Sequence, residues 1–218
     1  MARITHGTFP GPAGRLEYIL NEEDQPAADA PRRAAVVCHP HPLYGGSMHT
    51  RIVFQTAQEL ARHRLPVLRF HFRGVGQSEG SHDQGRGEQQ DIAAAIAFLR
   101  ERYPWPVTLA GFSFGAATVV RLLASEPHLE VERVLLLGLP LGNHAGLPAA
   151  WAWRGPKWMI SGEQDQFAGV EALEAWYAQL PQPKARTWIA GGDHFLTGRM
   201  EEYRQVLSRY LDSALAAG

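Results

Sequence analysis

The chain has 218 residues, 45% of them hydrophobic and 20% charged, which is the make-up of an ordinary globular protein long enough for one well-cored domain. A formal net charge of −1, with no basic block, argues against nucleic acid or an anionic membrane as a partner. A single cysteine, Cys38, excludes an internal disulfide; with no signal-like N-terminus and no apolar run of membrane-spanning length, a cytoplasmic protein is expected.

Residues 3–9 and 15–21 read as two short strands joined by Pro10-Gly11-Pro12-Ala13-Gly14, a hairpin at a sheet edge where prolines are tolerated. Glu22 to Arg33, rich in Ala, Asp and Pro, reads as an exposed loop. Ala34-Ala35-Val36-Val37-Cys38 is the first continuous apolar run, the mark of a strand buried on both faces in a parallel sheet. The prolines and glycines of residues 39–46 forbid regular structure there. A helix follows over 47–63, then a strand over 66–73, a turn-rich loop over 74–80 and a helix over 88–102. Val107–Ala110 is a buried strand, and the residues after Gly115 carry apolar side chains at helical spacing. Strands at 134–138, 157–161 and 185–189 and helices at 170–180 and 197–216 complete the chain. Strands alternating with helices after a hairpin predict a single α/β domain over 1–218, with a mostly parallel sheet and helices on both faces.

One stretch stands out. Gly111-Phe112-Ser113-Phe114-Gly115 lies between a buried strand and a helix, the context of a nucleophile elbow, in which a tight turn presents the serine hydroxyl at the end of a sheet. A nucleophilic serine needs a base, and the base needs an acid to orient it. In this strand–turn–helix setting the chain order is serine, acid, histidine. His128, His144 and His194 follow Ser113, and only His194 also follows a carboxylate placed directly after a strand. Asp165, just past the strand ending at Ser161, is the expected acid, with Glu163 as the alternative. Asp193 is adjacent to His194 in sequence and so points away from it.

The oxyanion of an acyl-transfer intermediate needs two N–H donors. One is expected from Phe114, and the other from the loop after Cys38, where Pro40 and Pro42 have no N–H to give. His41 is the first choice there and Leu43 the second. Tyr44, Phe114, Trp151 and Phe195 suggest a small apolar pocket for short acyl chains. His39 and His41 alternate to opposite sides and lack a third ligand, so no metal site is expected. Cys38 reads as an inert core residue, Arg73 as a maker of loop hydrogen bonds.

Taken together, His39–Gly46, Phe72–Gly80, the Ser113 elbow and Gly192-Asp193-His194-Phe195 resemble the α/β-hydrolase superfamily, and within it a group of small bacterial hydrolases related to dienelactone hydrolases and carboxylesterases. The resemblance runs from about residue 15 to the C-terminus. It departs at His71, where many members have an aspartate two residues before Arg73. The short segment from Leu139 to Pro156 leaves no room for the cap domain of larger members, so an open site is expected, with Trp151 and Trp153 as a small wall. The resemblance implies a cofactor-free serine hydrolase acting on a small-molecule ester. A thioesterase or peptidase with the same machinery, a non-catalytic binding protein on this fold and a cofactor-free perhydrolase are the alternatives.

Overall fold

The computed structural model describes residues 2–23, 32–142, 147–148 and 151–216. Eight strands form one sheet among these residues: β1 (Ala2–Gly11), β2 (Gly14–Glu23), β3 (Ala34–Cys38), β4 (Val67–Phe70), β5 (Val107–Phe112), β6 (Val131–Leu137), β7 (Lys157–Gly162) and β8 (Lys184–Ile189). Their order across the sheet is β1-β2-β4-β3-β5-β6-β7-β8. β1 pairs antiparallel with β2, and β2 antiparallel with β4; every pair from β4 to β8 is parallel. The five α-helices are α1 (Arg51–Arg62), α2 (Arg86–Arg102), α3 (Phe114–Ser125), α4 (Val170–Ala178) and α5 (Met200–Ala216).

Alternation along the strands divides the core in two. In β3, Val36 and Cys38 face the core shared with α2, α3 and α4, while Ala35 and Val37 face the one shared with α1 and α5. β3 and β5 are buried along their whole length, because both faces are covered by helices.

Several boundaries differ from the sequence reading, each for a local reason. β2 continues through Glu23, so Glu22 is a buried strand residue and not part of a loop; its carboxylate accepts from Arg3 Nε at 2.7 Å and Arg102 Nε at 2.9 Å, and also contacts the Tyr103 hydroxyl. The rest of that expected loop, residues 24–31, lies outside the described residues. α1 starts at Arg51 and not at 47, because Ser47–Thr50 closes a turn, with the Thr50 N–H donating to Ser47 O at 3.0 Å and the Ser47 N–H donating to Thr50 Oγ1 at 3.2 Å. β4 ends at Phe70; the Phe72 N–H then leaves the sheet and donates to His39 Nε2 at 3.0 Å.

The segment between β6 and β7 carries no helix or strand among its described residues. Trp151, expected to wall the substrate site, is instead 1% exposed in the core. It stacks on Trp153 (5.6 Å between centroids) and Trp176 of α4 (6.1 Å). An indole of that size is most stable against other apolar rings when partners are within reach, and α4 supplies them. Trp153 is buried beside it and forms no wall either.

Arg73 locks the loop after β4 to α2. Its guanidinium donates to Asp91 Oδ1 (2.7 Å from Nη2) and to Gly87 O (2.7 Å), with Asp91 fully buried. Arg73→Met would leave that carboxylate buried and unpaired. Urea denaturation should show a loss of about 3–5 kcal/mol; a loss below about 1 kcal/mol would mean that the pair does not hold the loop.

Candidate active site

Ser113 is the single residue between β5 and α3. Its backbone is left-handed, with φ 54° and ψ −118°, a strained conformation for a side chain. Two hydrogen bonds hold it: the Ser113 N–H donates to Leu137 O at 2.8 Å, and the Ala117 N–H donates to Ser113 O at 3.0 Å. The glycines on either side permit the packing. A Cβ on Gly111 would lie 2.5 Å from the Gly115 carbonyl carbon, and one on Gly115 would lie 2.6 Å from Cys38 O and 2.7 Å from His39 O. Strand β5, helix α3 and the end of β3 therefore touch through bare backbone.

β7 and β8 run parallel and release their loops side by side. The Glu163 N–H donates to Ile189 O at 3.0 Å, and the Gln164 N–H to Gly192 O at 2.8 Å, tying the loop of Asp165 to the loop of His194. The Asp165 carboxylate accepts from His194 Nδ1 at 2.8 Å through Oδ2 and from the Phe167 N–H at 2.8 Å through Oδ1. With the Nδ1 proton directed at a carboxylate, Nε2 is the acceptor, and it lies 2.9 Å from Ser113 Oγ. Asp165 is 5% and His194 3% exposed, so this chain of bonds is sheltered from competing water.

The other candidates are placed elsewhere. Glu163 is exposed and, among the described residues, accepts from the Gly191 N–H at 3.3 Å and no other. Asp193 Oδ1 accepts from the Thr197 N–H at 2.8 Å, and the bonds from Thr197 hold its carboxyl below the usual range. His128 lies on the connection from α3 to β6, at the other end of the sheet. His144 lies outside the described residues.

His41 and Phe114 both line the cleft above Ser113, with rings 4.9 Å apart. Phe114 opens α3, so its N–H has no acceptor one turn earlier. The carbonyl of His41 accepts from the Tyr44 and Gly46 N–H groups, at 3.1 Å each, while its own N–H has no partner among the described residues. The N–H of Leu43, the alternative donor, is engaged: it donates to His41 Nδ1 at 3.2 Å. His39 is fully buried and neutral; its Nδ1–H donates to Pro40 O at 2.7 Å and Nε2 accepts from Phe72, so neither nitrogen is available to a metal. Burial pushes its imidazole pKa down to about 3.

The cleft has a volume of about 930 Å³ and is open to solvent. Tyr44 (86% exposed) and Phe195 (50% exposed) are among the residues that line it. Trp151, expected among the pocket residues, does not line it. His82, Arg121 and Phe167 are among the lining residues that the sequence reading did not single out. Phe167 packs on the His194 ring at 4.5 Å. Arg121 was accessible to a helical-spacing argument, since it follows Ser113 by two turns of α3.

A family model described as the alpha/beta hydrolase fold matches residues 36–152, and the chain belongs to that family. Over 212 residues it is 30% identical to uncharacterized protein RP471 of Rickettsia prowazekii, covering 93% of this chain and 87% of that one. Among solved structures it resembles XC6422 of Xanthomonas campestris, an a/b serine hydrolase without a lid, at 30% identity and a TM-score of 0.83, covering 97% of this chain and 94% of that one. An alpha-beta serine hydrolase homologue from Coxiella burnetii is equally similar, at 30% identity and a TM-score of 0.83, covering 95% and 97%.

The Gly115 contact yields a test. Gly115→Ala should push the β3 loop off α3 and slow labelling of Ser113 by a fluorophosphonate about tenfold to a hundredfold, since displacements near 1 Å carry such costs. Unchanged labelling would show that the close approach does not position Ser113.

Proposed function

We propose that the protein is a serine hydrolase of carboxylic esters, with Ser113 as nucleophile, His194 as base and Asp165 as the orienting acid. The observation that carries this reading is the continuous hydrogen-bonded chain from Asp165 Oδ2 through His194 (2.8 Å) to Ser113 Oγ (2.9 Å). His194 Nε2 takes the Ser113 proton as Oγ attacks the ester carbonyl. Asp165 keeps the imidazole in the right tautomer and stabilises the imidazolium. The N–H groups of Phe114 and His41 receive the oxyanion, helped by the positive end of α3. His194 then hands its proton to the departing alcohol. Water, deprotonated by the same nitrogen, attacks the acyl-serine; as the acid leaves, His194 returns that proton to Ser113 Oγ and the enzyme is regenerated.

The test is hydrolysis of p-nitrophenyl esters from acetate to decanoate. The wild type should turn them over and be labelled at Ser113 by a fluorophosphonate. Ser113→Ala and His194→Ala should each lower kcat by about 10³-fold or more, and Asp165→Asn by about 10³–10⁴-fold, with little change in KM. A labelled but silent wild type would refute the ester assignment alone. An unlabelled Ser113 would refute the serine-hydrolase reading altogether.

A further inference from the structure

The cleft contains one permanent charge. Of the described residues lining it, Arg121 is the one arginine or lysine, and none is a carboxylate; Asp165 sits behind His194, its side chain 1% exposed. Ser113, Ala117 and Arg121 follow one another at four-residue spacing and all line the cleft. Two helical turns are about 12 Å, and a helical side chain leans back towards the N-terminus. The Arg121 guanidinium carbon accordingly lies 5.8 Å from the centre of the Phe114 ring, beside the nucleophile.

This guanidinium is incompletely bonded. Nη1 donates to Gln84 O and Nη2 to Thr118 Oγ1, both at a long 3.4 Å, and Nε is buried without a partner. Among the described residues no carboxylate comes within 4.0 Å of it. The nearby Glu88 is already occupied: it accepts from the Asp83 N–H at 2.9 Å and the Gly85 N–H at 2.7 Å, and lies 2.8 Å from His82 Nδ1, off the hydrogen-bonding direction. Arg73, by contrast, is saturated by Asp91 and Gly87. A guanidinium has five N–H donors in a planar fork suited to a carboxylate. The fold also clears room for it, since a Cβ on Gly85 (φ +84°) would lie 2.3 Å from Arg121 Nη2. A purely structural arginine packed on Phe114 would not account for a cleft-lining guanidinium whose contacts are two bonds at 3.4 Å and no carboxylate among the described residues.

We propose that Arg121 selects acyl esters bearing a second, free carboxylate, binding that carboxylate while the ester carbonyl lies against Ser113. The rise of about 12 Å over the eight residues from Ser113 to Arg121, shortened by the arginine side chain reaching back along the helix, leaves room for a spacer of a few methylenes, and half-esters of a six-carbon diacid are the class to test. This inference rests on the ester-hydrolase reading above.

The test compares p-nitrophenyl hydrogen adipate with p-nitrophenyl hexanoate, which differ by the terminal carboxylate. Arg121→Met should lower kcat/KM for the adipate half-ester about tenfold or more and leave the hexanoate within about threefold. Arg121→Lys should fall between, keeping the charge and losing the fork. A parallel fall on both esters, or an unchanged ratio, overturns the proposal. A second measurement needs no variant: in the wild type, free adipate should inhibit hexanoate hydrolysis competitively and 1,6-hexanediol should not. Equal inhibition by both, or by neither, also overturns it. Fluorophosphonate labelling separates the two levels. A wild type that is labelled and shows no preference sinks the role of Arg121 alone, whereas one that is neither labelled nor active on hexanoate sinks the hydrolase reading with it.

Discussion

The contact between β5, α3 and the end of β3 governs the rest of the site. Ser113 is held at φ 54°, which it would not adopt in a free chain, and the cost is met by the bonds on either side of it. Those bonds need helix and strand backbones at near-contact distance, which only glycine at 111 and 115 allows. The same approach sets the β3 loop, which carries the His41 N–H, beside the start of α3. One steric constraint therefore fixes the position of the hydroxyl and of two candidate donors together.

The second organising element is the parallel order of β3, β5, β6, β7 and β8. Parallel strands present all their C-terminal ends along one edge, so loops far apart in sequence converge there. Residues 41, 113, 165 and 194 meet for that reason. The hairpin β1–β2 lies at the far edge, and it is tied to the site region by His71, whose Nδ1 is 2.9 Å from Glu17 Oε2. His71 thus bears on how the loop after β4 docks on the hairpin.

What could be read from the sequence was whatever one strand or turn determines locally. The buried runs at Val36 and Leu109, the glycine spacing around Ser113 and the place of His194 after the last strand all follow from short-range sterics and periodicity. The preference for Asp165 over Glu163 came from its position in the loop, and the geometry shows the physical ground: a bond from the Phe167 N–H turns Asp165 inward while Glu163 faces water. Long-range packing was not legible. Nothing near Trp151 announces that Trp176, on a later helix, will draw it into the core. Likewise the engagement of the Leu43 N–H depends on the rotamer of His41, which no spacing rule specifies. The role of Gly85 in making room for Arg121 joins two helices and is invisible until both are placed.

His39 has a wider consequence. Its ring is fixed between the Pro40 carbonyl and the Phe72 N–H, an arrangement only the neutral imidazole can satisfy, and burial lowers its pKa to about 3. In the unfolded chain the same imidazole titrates near 6.5. Between those two values the unfolded chain carries a proton that the native fold refuses. Native stability is unaffected by this residue above the unfolded value and drains away as acidity rises, by up to about 1.4 kcal/mol per pH unit. Hydrogen ion is thus a ligand of the unfolded state, and the brace that anchors the β3 loop makes the whole fold an acid-sensitive one.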